Sequence, residues 1–376
     1  MIKEYKDTPF AKPAALLLIT AQLVIAEELA SESNFEDSIK QCKEVKALVS
    51  DNAEGLAALD REIVDTYMKW GADLVKQKKN EEAQALYEKI ASDFAASADI
   101  SALAKKNASK CSYVLGVCFR MNKEQDKAFA AYRAVTEKYK DTPFAPAAFS
   151  DMYIMYMDQN DNVNALNAIK HATELEPGNS DYLFKEVVLL ADMGKTEEAQ
   201  KAAFPLLAML QEEAQRAYQN KDVWQYKTGK VQLILNNFTE AVVEFEKALA
   251  RNPSSLEAKQ GLALAQFSDK NFAGALVTYE ALIAQFSAMF SDANQKASSD
   301  KDSVELLKKA EDLRKEIAYF HFQKGLCLEQ LGDYDKAVVE CRLGLEGVST
   351  KDAALALKRI QGEAQKKAEL KPVEAK

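Results

Sequence analysis

Histidine is almost missing from this chain of 376 residues; only His171 and His321 occur. They stand far apart, so a zinc site or a histidine-based catalytic pair would need two distant segments to converge. Cysteine is scarce too. Cys42, Cys111, Cys118, Cys327 and Cys341 make an odd count of five with no Cys-x-x-Cys spacing. They read as small apolar packing residues rather than a disulfide frame or redox pair. Such thiols fit a reducing compartment, and survive elsewhere when buried. A basic excess is also absent. The net charge is −9 and the pI about 5.2, which argues against a nucleic-acid partner and leaves basic peptides, or simple solubility, as the use of the acidity. No run of about 18 apolar residues is free of charge, so no membrane-spanning segment is expected. Ala14–Ala26 has the length of a signal-peptide core, but its flanks argue against that use, as shown below. Only 13 glycines and 8 prolines interrupt the chain.

What remains is helical composition, 48% hydrophobic and 28% charged, and one stretch that organises the rest. Asp222–Ser255 reads DVWQYKTGKVQLILNNFTEAVVEFEKALARNPSS. Gly229 and Ala241 are small where two helices must approach, Phe238 and Phe245 are bulky enough to fill the gap between helix pairs, and Pro253 stops the second helix. The spacing of Gly229, Ala241, Phe245 and Pro253 resembles the tetratricopeptide repeat, a helix–turn–helix unit of about 34 residues with a Gly, an Ala-x3-Phe and a closing Pro. Gln225 and Gln232 stand where that family prefers aromatics. The resemblance implies an all-α fold, a right-handed superhelix of stacked helix pairs, because one pair cannot bury its apolar face alone.

Laid along the chain, the frame gives starts at Ile19, Val64, Ser109, Pro146, Ser180, Asp222, Leu256 and Ala318. The anchor residue recurs as Ser38, Ala83, Ala128, Ala165, Ala199, Ala241, Ala275 and Ala337. The residue four later is Cys42, Tyr87, Tyr132, Ile169, Ala203, Phe245, Tyr279 and Cys341. The expected organisation is a repeat array over 1–290, a loop and helical extension over 291–317, a last repeat over 318–351, and a capping helix with a polar tail over 352–376. Extra helical residues near 53–63 and 99–109 predict longer first helices in repeats two and three. The polar string from Ser291 to Ser303 predicts a loop and a point of proteolysis. In the capping helix Ala353, Ala354, Leu357, Ile360 and Ala364 share one face, and Lys358 and Arg359 lie on the other.

YKDTPFA occurs at 5–11 and again at 139–145. The second copy joins two repeats, so the first predicts that the chain begins inside one. The string resembles the links of bacterial envelope tetratricopeptide proteins, the Tol-Pal-associated coordinator and the outer-membrane assembly lipoproteins, and that resemblance implies a bacterial periplasm or envelope setting.

Several near-motifs fail on their own chemistry. Gly194-Lys195-Thr196 resembles the end of a phosphate-binding loop, but Leu189 stands where its first glycine belongs. Asp158, Asn160 and Asn162 resemble a calcium loop, but Val163 replaces its glycine and Ile169 its bidentate acid. Both read as turns between helices. Asn107-Ala108-Ser109 and Asn237-Phe238-Thr239 fit the glycosylation pattern, the second on a core position. No enzyme, metal or cofactor reading gains support.

The resemblance puts the first helix of each pair on the concave face. That frame points Tyr113, Val117, Arg120, Phe184, Tyr226, Lys230, Leu233 and Phe322 into a groove, of which Tyr113, Arg120, Phe184, Tyr226, Lys230 and Phe322 are the candidate partner-binding residues. Aromatics with one or two cations suit a peptide with acidic and apolar side chains. The Lys, Asn and Arg pattern of the subclass that clamps a terminal carboxylate is missing. A second candidate interface is the N-terminal edge. The helix from Lys12 is apolar nearly all round until Glu27, so Leu17 and Val24 are expected to face outward. The leading function is therefore a non-catalytic scaffold for a protein or peptide partner. The alternative is a subunit that joins copies of itself end to end, as a homo-oligomer or head-to-tail polymer.

Overall fold

The computed structural model describes residues 11–49, 53–216, 219–299, 304–345 and 351–369. Among the described residues there are seventeen α-helices and no strand, and the fold class is all-α. Sixteen of the helices form eight consecutive pairs, each with a first helix, A, and a second, B. The pairs are α1 (Ala11–Ser31) with α2 (Phe35–Leu48), α3 (Ala53–Lys76) with α4 (Asn80–Asp93), and α5 (Ala98–Met121) with α6 (Gln125–Arg133), which runs on as a π-turn over Ala134–Lys138. Next come α7 (Ala145–Asp158) with α8 (Asn162–Leu175), α9 (Ser180–Asp192) with α10 (Thr196–Arg216), and α11 (Lys221–Ile234) with α12 (Phe238–Arg251). The last are α13 (Leu256–Ser268) with α14 (Phe272–Ser299), α15 (Val304–Gln330) with α16 (Tyr334–Leu345), and then α17 (Lys351–Glu369). Packing divides the chain into two compact units, residues 1–182 and 183–376.

One backbone feature ties these pairs to the sequence frame. A residue with positive φ stands fourteen positions after every expected repeat start: Ser33, Lys78, Lys123, Asn160, Gly194, Asn236, Lys270 and Gly332, with φ between 57 and 79°. Each is the left-handed residue that ends helix A. The next residue returns its N–H to a carbonyl five back, as in Asn34 to Leu29 at 2.8 Å, Asn237 to Gln232 at 2.9 Å and Asp333 to Leu328 at 2.9 Å. This closure satisfies carbonyls that a helix end leaves open. Gly194 and Asn160 are therefore turn residues, and their phosphate-loop and calcium-loop resemblances have a plain geometric origin.

Side-chain volume does the rest. All eight anchor residues, Ser38 through Ala337, have no exposed area. Opposite them, the residue four later fills the gap. A Cβ at Gly71 would meet the Tyr87 ring at 2.5 Å, one at Gly116 the Tyr132 ring at 2.6 Å, and one at Gly229 the Phe245 ring at 3.0 Å. Phe245 also abuts Gly261 of the following pair, so it fills the gap between pairs as expected. Where the bulky position is small, helix A compensates: Ala203 is accompanied by Val187, which is fully buried in the same cluster.

The extra residues near 53–63 and 99–109 lengthen α3 and α5, each 24 residues. The polar string at 291–303 departs from its expectation. Helix α14 continues through Ser299, and 300–303 lie outside the described residues. The reason is a buried stripe that its polar composition obscured: Phe286, Ala293 and Ala297 are buried, and the first two pack with Ala310 and Leu313 of α15. Two helices bear on the membrane expectation. Lys12–Ser31 and Phe272–Ser298 have the length and composition to cross a membrane. A strict charge-free window missed them because a few charges interrupt otherwise apolar helices. Each packs one face inside the protein, through Ile19 and Ala26 and through Tyr279 and Leu282 respectively.

The second YKDTPFA copy links α6 to α7. Tyr139 is buried and its hydroxyl donates to Glu88, which also accepts from Lys138 at 2.7 Å. Thr142 bonds Ser109 at 2.7 Å. Residues 5–10 of the first copy, and the tail from 370, lie outside the described residues. On α17, Ile360 and Ala353 are buried, Leu357 is half-buried and Ala354 is exposed. Arg359 makes a two-pronged bond to Glu329 at 2.8 and 2.6 Å.

Candidate functional site

In residues 1–182 the predicted groove residues Tyr113 and Arg120 are brought together on α5, but as part of a closed polar cluster. Arg120 Nη2 lies 3.5 Å from Asp151 Oδ1 of α7, and the Asp151 side chain is only 13% exposed. The Tyr113 ring packs at 5.9 Å from Tyr132 and 6.0 Å from Phe144. Burial, with the Asp151 charge adding, pushes the Tyr113 hydroxyl up to about 12 and raises Tyr132 further. Three buried polar atoms in this cluster lack a well-formed hydrogen bond: Arg120 Nε, Asp151 Oδ2 and the Tyr132 hydroxyl. Arg120 thus neutralises a buried carboxylate. It is not the free groove cation the sequence suggested, because the frame places residues on a face without counting the acids that reach it from the next helix.

In residues 183–376 three of the predicted residues line an opening. Tyr226, Lys230 and Leu233 of α11, Gly261 and Leu264 of α13, and Tyr319 of α15 are among the walls of a cavity of about 290 Å³. Glu257, Gln260, Tyr279, Glu316 and Phe320 complete it. Phe184 stands beside this wall, its ring edge-on to Tyr226 at 6.4 Å, with Lys227 Nζ 5.5 Å above it. Phe322 is not in the cavity. Its backbone and Cβ press on Gly344 of α16 and it packs in the terminal core, because the last pair is followed by α17 rather than by another helix A. The sequence frame missed Gln260 and Leu264, although they occupy in repeat seven the register of Tyr226 and Lys230. Glu316 had no register to betray it, since it precedes the last repeat on the extension of α15.

The charges of this cavity are unequal. Among the described residues, neither Lys230 nor Glu316 forms an ion pair. Partial burial raises the Glu316 carboxyl, although the residue as a whole remains exposed. Burial raises the Tyr226 hydroxyl, with Glu257 adding, and that of Tyr319, with Glu316 adding. A neighbouring opening of about 470 Å³ between α14, α15 and α16 is different. There Lys324 reaches Glu280 at 3.1 Å and Glu340 at 2.9 Å, and His321 reaches Glu340 at 2.6 Å, so its charges answer one another.

At the N-terminal edge Leu17 is 72% and Val24 55% exposed, while Ile19 and Ala26 on the opposite face of α1 are buried. Four of the five cysteines are buried as packing residues, and Cys118 is an exposed free thiol, contrary to the sequence reading. Burial pushes the thiols of Cys42, Cys111 and Cys341 up to about 11 and that of Cys327 to about 12. Their thiolates are suppressed at neutral pH. His171 pairs with Glu174 at 3.2 Å. Among the described residues no three potential metal ligands cluster.

No curated protein matches the chain. Among solved structures, it is similar to a tetratricopeptide repeat protein from Parabacteroides merdae at 16% identity, covering 67% of this chain and 98% of that one, with a TM-score of 0.42. Pseudomonas aeruginosa PilF aligns at 14% identity over 69% and 99%, with a TM-score of 0.41. The Cut9 and Hcn1 assembly aligns at 12% identity over 92% and 70%, with a TM-score of 0.43. Family patterns described as tetratricopeptide repeat match residues 111–142, 226–289 and 318–346. Three stretches of the chain thus match tetratricopeptide-repeat patterns, and the positive-φ turns and buried anchors recur at the same spacing in all eight helix pairs.

Proposed function

We propose that this protein is a non-catalytic scaffold that holds an extended segment of a peptide or protein partner across the A helices α11, α13 and α15. The observation that carries this is the cavity where Tyr226, Leu233, Leu264 and Tyr319 converge, with aromatic walls and a few polar groups. Such a site suits a side-chain anchor. At about 290 Å³ it is at the small end for a whole ligand, ~300–1,000 Å³. An envelope setting, which the YKDTPFA link suggests, belongs to the same proposal. The test is selection of random dodecapeptides on the full chain, followed by affinity measurement. Tyr226→Ala combined with Leu264→Ala should weaken the selected peptides about tenfold or more, as removal of interface anchors does. Binding that is indifferent to both substitutions moves the partner surface elsewhere.

End-to-end assembly is favoured by one observation, the exposed stripe of Leu16, Leu17, Val24 and Ile25 on α1. Leu17→Glu with Val24→Glu should abolish any concentration-dependent growth in mass. A parent chain that stays monomeric at all concentrations removes this second reading.

A further inference from the structure

The sequence frame, which registers aromatics and one or two cations, suggests acidic ligands for the groove. The cavity itself is arranged the other way. Glu257 and Glu316 stand against one cation, Lys230, and four rings, Tyr226, Tyr279, Tyr319 and Phe320, line the same space. Glu316 makes no ion pair among the described residues, and nothing beyond burial acts on its carboxyl. Lys230 lines the same cavity but forms no ion pair with Glu316. Both carboxylates are exposed at the edge of the opening, so they present negative charge to an arriving cation beside the aromatic wall. The rings add an attraction of their own for ammonium and, more so, for guanidinium. The neighbouring opening shows the contrast, because Lys324 already fills that role for Glu280 and Glu340. The net charge of −9 draws cationic partners to the whole molecule.

We infer that the α11–α13–α15 cavity is a subsite for one cationic side chain, an arginine or lysine of the bound segment, held between Tyr226 and Tyr319 and paired with Glu316. This rests on the peptide-binding reading of the same cavity and specifies the residue that the cavity selects. The volume of about 290 Å³ admits one long side chain.

The test uses dodecapeptides selected on the full chain and resynthesised with arginine, norleucine or glutamate at the enriched position. The arginine forms should bind best. Glu316→Gln should weaken them about tenfold, the weight of a charge-assisted bond, and should leave the norleucine forms unchanged. Lys230→Ala should hold or raise arginine affinity. Circular dichroism of each variant checks that it is folded. If the selected peptides carry acidic or purely apolar residues at that position, or if Lys230→Ala weakens them while Glu316→Gln does not, the cationic subsite is wrong although the scaffold stands. If peptides bind but ignore Tyr226→Ala with Leu264→Ala, the reading of the cavity as a binding site falls with it.

Discussion

Arg120 in residues 1–182 and Lys230 in residues 183–376 both lie on an A helix at a register that faces the expected groove, yet they have opposite surroundings. Arg120 reaches a mostly buried Asp151 at 3.5 Å. Lys230 lines a cavity and pairs with nothing among the described residues. One cation belongs to the structure of its unit and the other to an open surface. The difference comes from the neighbour on the next helix A. Asp151 of α7 projects toward α5, whereas the residues of α13 nearest Lys230 in the repeat register are Gln260 and Leu264. A register says which face a residue occupies. It does not say whether the following repeat has already used that residue's charge.

The strongest way to break this comparison is to reverse both charges. Arg120→Glu places a second carboxylate beside Asp151 and should cost about 2–3 kcal/mol, because a largely buried charge loses its partner. Lys230→Glu should change stability by less than about 0.5 kcal/mol, as surface substitutions do. Urea denaturation followed by circular dichroism decides both. Equal midpoints would show that Arg120 is as free as Lys230.

A smaller effect sharpens the description of the Arg120 cluster. The Tyr132 hydroxyl is buried and approaches Asp151 without forming a well-shaped hydrogen bond. Tyr132→Phe keeps the ring that fills the space against Gly116 and removes that hydroxyl. It should therefore stabilise the protein by about 1 kcal/mol, the lower end of the penalty for an unsatisfied buried group. A loss of similar size would mean that the hydroxyl has a partner, such as an ordered water joining it to Arg120 Nε and Asp151 Oδ2.

The repeat frame and the candidate cavity were legible to different degrees, for physical reasons. Backbone closure and volume packing are local and repeat in sequence, so Ala241, Phe245 and the turn at Asn236 could be extended to every pair. The cavity is a meeting of three A helices. Tyr226, Lys230 and Leu233 were found because their repeat is the most regular. Gln260 and Leu264 were within reach of the same frame but lack aromatic or charged character to draw notice. Glu316 comes from the helical extension of α15, outside any repeat, and only packing brings it there. The helix through 291–299 was hidden for a related reason: Ala293 and Ala297 are small enough to look like loop composition, and they pack because α15 runs alongside α14.

The smallest expected effect asks whether the two units obey the same backbone rule. Lys78, in residues 1–182, and Lys270, in residues 183–376, are exposed and both have φ of 63°. They hold the turn position that Gly194 and Gly332 fill elsewhere. A side chain in the left-handed region costs roughly 1–2 kcal/mol per residue. Glycine removes that strain but loses more chain entropy on folding, about 0.5–1 kcal/mol. The balance predicts that Lys78→Gly and Lys270→Gly each raise stability by about 0.5 kcal/mol. Gly194→Ala should lower it by about 1 kcal/mol, because Ala must adopt a φ of 74° there without gaining any contact. Thermal melts of the three variants test this. Equal gains for the two lysines confine the contrast between Arg120 and Lys230 to side-chain surroundings. A gain at Lys270 alone would show that the turn of residues 1–182 depends on the lysine itself, and the comparison would then extend to the backbone.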